Sequence, residues 1–143
     1  MPYERLLQQK RIKAHEADPQ EIKALLDLAN RDLDVARKTL GVDSDWAYTI
    51  AYNAILQASR ALMFSNGFRP RGSAGHITVV QFMRESLGKK HVEQVNLLDQ
   101  MRRKRHRVLY DETGLVGDKE AEQSLAFAKS FVKLLTELCT GKV

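Results

Sequence analysis

The chain has 143 residues, 43% of them hydrophobic and 29% charged, with a formal net charge of +5. That length suits one domain with one core, and the apolar content excludes a disordered chain. A single cysteine, Cys139, excludes an intrachain disulfide, and no stretch is apolar enough over its length for a membrane span.

The N-terminal twenty residues lack the apolar core of a signal peptide, so a cytoplasmic location with no membrane partner is expected. A first helix is predicted from about Tyr3 to Ala17, polar and either peripheral or only partly ordered, and assigned to residues 1–18. Asp18-Pro19 ends it, because proline disfavours helix at the residue before it and suits the first turn of the next one. The remaining chain, 19–143, is expected to form the bundle.

The second helix is predicted from about Pro19 to Leu40. Its apolar positions Ile22, Leu25, Leu26, Ala29, Leu33, Ala36 and Leu40 lie on one helical face. Asp32, Asp34, Arg37 and Lys38 fall mostly elsewhere and read as solvated. Gly41 suits the left-handed residue that follows a helix. The third helix starts near Asp43 or Ser44, both good caps, and runs to about Asn66-Gly67. Ala47, Ala51, Ala54, Ala58, Ala61 and Ser65 form a stripe of small residues along it, which places this helix centrally, where backbones approach closely.

Gly67 to Gly75 holds three glycines and a proline and reads as a loop. Arg69 and Arg71 within it can add to a phosphate-binding surface or belong to a plain surface loop. A fourth helix follows from about Gly75 to Leu87, a fifth from about Lys89 to Tyr110, and a last from about Asp118 to Cys139. The last buries Ala121, Leu125, Ala128, Val132, Leu135 and Leu138, and Cys139 reads as a thiol at the core's edge. No strand is expected. The fold class is all-α: an up-and-down bundle of four to five helices plus the peripheral N-terminal one.

The densest charge is Arg102-Arg-Lys-Arg-His-Arg-Val-Leu-Tyr-Asp111. On a helix, Asp99, Arg102, Arg103, His106 and Tyr110 share one face, opposite Leu97, Leu98, Met101, Val108 and Leu109. Arginine binds phosphate with two parallel donors, histidine moves protons near neutrality, and tyrosine stacks on bases. Arg102, Arg103 and His106 are therefore the candidate catalytic set for metal-free RNA cleavage. Arg102, Arg103, Lys104, Arg107 and Tyr110 are candidate nucleic-acid contacts, with Asp99 in support. A merely solvated basic helix end fits the same spacing, because cations near a helix C-terminus are favoured by its macrodipole. Arg105 falls toward the apolar side, where it either pairs with an acid on a neighbouring helix or snorkels. His15, His76 and His91 are scattered and form no His-x-x-x-His pair, so neither a metal site nor a cofactor is expected.

Two segments resemble the HEPN family. Trp46 to His76 is similar to that family's aromatic- and alanine-rich helix, with Arg60-Ala-Leu-Met63, the turn Gly67-Phe-Arg-Pro70 and the pair Gly75-His76. Met101 to Asp111 is similar to its late basic helix ending in Tyr-Asp. The resemblance covers about Glu21 to Leu138. It implies a helical bundle, often dimeric, associated with RNA or nucleotide. Many members are metal-independent ribonucleases with an Arg-x(4–6)-His motif at a dimer interface. Some are toxins paired with a minimal nucleotidyltransferase antitoxin that modifies a tyrosine after the motif, here Tyr110. Others are binding modules without the motif. Aligned on Tyr110, the family's arginine falls on Arg103 and its histidine on Val108. His106 stands three residues after Arg103 and four after Arg102, so the spacing departs from the motif. A shifted catalytic site and a site that only binds are both open at this point.

Overall fold

The structure, a computed structural model, describes residues 3–72 and 75–141. Six helices and one short antiparallel ladder make up the described chain: α1 Glu4–Gln8, β1 Ile12–Ala14, α2 Pro19–Thr39, α3 Ser44–Ser65, β2 Phe68–Pro70, α4 Gly75–Leu87, α5 Val92–Tyr110 and α6 Asp118–Thr140. The architecture is an all-α helical bundle. No helix among the described residues is long and apolar enough to cross a membrane.

Local chemistry explains the boundaries. The Asp18 carboxylate accepts from the backbone N–H groups of Gln20 and Glu21, and Pro19 occupies the first turn of α2. Asp43 caps α3 by accepting from the Trp46 N–H. After α2 the chain turns at Gly41, with φ of 81°, a conformation a side chain would strain.

The alanine stripe places α3 at the centre. Ala47, Ala51, Ala54, Ala58 and Ala61 are all buried, and α3 packs chiefly against α2 and α6. The larger residues between them, Tyr52, Ile55 and Met63, fill the core with Phe131, Val132 and Leu135 of α6. Across the other side of α3 lie α4, with Val79, Phe82 and Met83 buried, and α5, with Val95, Leu98 and Met101 buried.

Two features differ from the sequence expectation. The N-terminal helix stops at Gln8, and Lys10 takes the left-handed φ of 56°. The chain then runs extended, pairing Ile12 with Pro70, Lys13 with Arg69 and Ala14 with Phe68. Part of the expected loop is thus a strand, while its Ser73 and Ala74 lie outside the described residues, as do Lys142 and Val143 of the expected bundle. Three-residue strands carry too little alternation to be seen in a sequence. Leu6 and Ile12 are buried, and the Tyr3 ring stacks on Phe82 with centroids 4.5 Å apart, so this segment is fastened to the bundle.

The second difference is Asp32. Expected to be solvated, it is buried on α2 and accepts from Asn53 Nδ2 of α3 at 2.9 Å and from Arg31 at 2.9 Å. A buried carboxylate must be paired, and this one ties α2 to α3 through the polar Asn53 in an otherwise apolar turn. Asp34, Arg37 and Lys38 are exposed as expected, and the two cations hold the Asp34 carboxyl below its ordinary value.

Candidate functional site

The basic segment is one continuous helix. α5 follows a 3-10 turn at Lys89–His91 and runs unbroken to Tyr110. Its N-terminal half is held by Val95, Leu98 and Met101, which face α3 and α4. Beyond Met101 the apolar anchoring weakens: Val108 and Leu109 are only half-buried. They line an open cleft of about 480 Å³ with Trp46 and Thr49 of α3 and Val116 of the following loop. The Asp45 carboxylate fixes that loop by accepting from the Gly114 and Val116 N–H groups at 2.6 and 3.0 Å.

The segment's side chains divide into three sets. Arg103, His106, Arg107 and Tyr110 are exposed and form an outward ridge, with the His106 and Tyr110 rings in tilted contact at 4.9 Å. Asp99 sits at the root of this ridge and is buried. It accepts from Arg102 Nε at 2.9 Å and from Arg103 at 2.5 Å, so one carboxylate orients two guanidinium groups. Arg102 is only a quarter exposed, less outward than its spacing suggested. Lys104 turns the other way, and its ammonium group donates to both oxygens of Glu120 on α6 at 2.7 and 2.9 Å.

Arg105 continues the buried Val95–Leu98 stripe. Among the described residues no carboxylate receives it; its guanidinium lies over the Tyr52 ring, 5.6 Å from the centroid. Tyr52, fully buried on α3, shares a 2.9 Å hydrogen bond with His76 Nδ1 at the start of α4. Burial pushes the Tyr52 phenol up to about 12, so it keeps its proton. His76 is held below its ordinary value, first by burial and then by Arg105, Arg60 and Arg102. The bond engages Nδ1 of a neutral imidazole and leaves Nε2 outside it. Arg60 approaches the same place: a Cβ added at Gly75 would lie 3.6 Å from its Nη2.

Sequence reasoning missed this inner cluster of Tyr52, Arg60 and His76. His76 stood among scattered histidines, because its partners come from two other helices. The available signal was a phenol and a guanidinium placed on an alanine-rich helix that has to be buried.

Comparison with known proteins bears on the fold and the family. A family model described as the HEPN domain matches residues 22–138. The chain belongs to the HEPN domain family. This HEPN chain is similar in fold to TT1696 from Thermus thermophilus. The TM-score is 0.64 at 21% identity, covering 82% of this chain and 98% of that one. No curated protein matches the sequence. As a HEPN protein, the chain falls in a nucleotide- and nucleic-acid-associated class. Among the described residues, no group of three His, Cys, Asp or Glu side chains is placed to hold a metal ion.

Proposed function

We propose that this HEPN protein binds RNA through the outward ridge of α5 and cleaves it without a metal. It would act in the cytoplasm as a homodimer, restrained as a toxin by a minimal nucleotidyltransferase that can modify Tyr110. The observation that carries the reading is the ridge: Arg103, Arg107, His106 and Tyr110 project together from one continuous helix, and Asp99 fixes Arg103. Arg103 and Arg107 engage backbone phosphate, and Tyr110 offers a ring to a base, as does the half-exposed Trp46 beside the end of α5. In the cleavage step His106 takes the proton from a ribose 2′-hydroxyl, whose oxygen attacks the adjacent phosphorus. The 5′ oxygen leaves with a proton returned by the imidazolium, giving a 2′,3′-cyclic phosphate, while the arginines balance charge on the phosphoryl oxygens.

A second reading, a HEPN module that binds without turnover, is favoured by the surroundings of His106. Among the described residues its ring contacts Tyr110, and no carboxylate orients it. One assay separates the two. The protein and its His106→Ala variant are incubated with RNA in EDTA. Cleavage by the wild type alone supports catalysis. Equal cleavage by both removes His106 from the chemistry. Binding that weakens with salt, without product from either, supports the binding module.

A further inference from the structure

The inner cluster has an uncompensated charge. Arg60, Arg102 and Arg105 come from two helices, and all three act on the Tyr52–His76 pair. The carboxylate acting on Tyr52 is Asp99, and its two oxygens are taken by Arg102 and Arg103. Among the described residues, neither Arg60 nor Arg105 has a carboxylate partner. Both arginines are half-buried, so water screens them less than it screens the ridge. Concentrating like charge in a partly desolvated place opposes folding unless an anion offsets it. The His76 ring is oriented by the Tyr52 hydroxyl at Nδ1, which leaves Nε2 as a further polar atom beside the arginines, a donor when it carries the ring proton.

We propose that Arg60, Arg105, Arg102 and His76 form a phosphoryl-binding site between α3, α5 and the start of α4, separate from the outward ridge. Planar guanidinium groups and an imidazole N–H select a phosphoryl oxyanion by charge and geometry. A mononucleotide's terminal phosphate and an RNA backbone phosphate share that chemistry. Tyr52 is a positioning residue: it fixes the His76 ring and supports the Arg105 guanidinium.

The test follows the four imidazoles by NMR while inorganic phosphate, AMP or a 5′-hydroxyl RNA oligonucleotide is added at matched ionic strength. A bound anion offsets the arginines, so phosphate raises the titration midpoint of His76. Arg60→Gln and Arg105→Gln each weaken phosphate binding about tenfold, while Arg105→Lys loses less because it keeps the charge. Stronger binding of AMP than of the oligonucleotide assigns the terminal phosphate as the source; the reverse assigns the backbone. A His76 midpoint unmoved by all three probes overturns the site, and this reading on the wild-type protein needs no variant to fold. Equal phosphate affinity in folded Arg60→Gln, Arg105→Gln and wild type overturns it as well. Failure here leaves the ridge untouched, since Arg103→Ala and Arg107→Ala weaken RNA binding whether or not His76 responds.

Discussion

Two regions of this molecule use the same three residue types in opposite settings. The outward ridge sets Arg103, Arg107, His106 and Tyr110 in water on one helix. The inner cluster sets Arg60, Arg105, His76 and Tyr52 half-buried or buried, on three helices. In the ridge, charge is screened by water, and the contacts that order it are the Arg103–Asp99 pair and the His106–Tyr110 rings. In the cluster, burial raises the phenol, lowers the imidazole and makes each group depend on its neighbours. Environment, more than composition, separates the two sets, and on the proposals above it suits one to steer a polyanion and the other to position a single phosphoryl group.

The contrast is sharpest in the two tyrosines. Tyr52→Ala removes a fully buried ring from the centre of the bundle and should cost about 3–5 kcal/mol in chemical denaturation. Tyr110→Ala, from a ring 69% exposed, should change stability by no more than about 0.5 kcal/mol. Similar losses in the two variants would break the comparison.

Asp99 stands between the regions. Asp99→Asn releases Arg103 into solvent but leaves the quarter-exposed Arg102 without its counter-charge. We expect a loss of about 1–3 kcal/mol in denaturant unfolding, because a partly buried partner is left unpaired. A neutral effect would mean that Asp99 serves the ridge alone.

Much of the helical plan is legible in the sequence. Helices α2 to α6 follow from periodicity, caps and glycines, because those signals are local. The α5 ridge is visible for the same reason, since its members lie within a few turns of one helix. What stays hidden is contact across elements. Asp32 looks solvated by position but meets Asn53 of α3, and Lys104 looks available for phosphate but meets Glu120 of α6. The ladder between Ile12–Ala14 and Phe68–Pro70 is too short to show a period. His76 gains its partners only when α3, α4 and α5 pack together.

Smaller effects sharpen the account further. Tyr52→Phe keeps the ring but deletes the hydroxyl that is hydrogen-bonded to His76, and should cost about 1 kcal/mol. The pH dependence of His76 is the mildest effect. Its native value is depressed, so above the ordinary 6.5 its contribution is fully present. As pH falls below 6.5 the unfolded chain takes the proton first, and stability is lost until the native imidazole also titrates. Denaturation across that window should therefore show wild type losing stability relative to His76→Gln on acidification; parallel curves would place His76 in an ordinary aqueous setting.

The central claim, that the α5 ridge receives RNA phosphate, is tested most directly by fluorescence anisotropy with a single-stranded RNA across a salt series. The wild type should bind at low salt, and Arg103→Ala with Arg107→Ala should weaken binding and flatten the salt slope by about 0.7 per lost phosphate contact. The same affinity and slope in the doubly substituted protein would contradict the account.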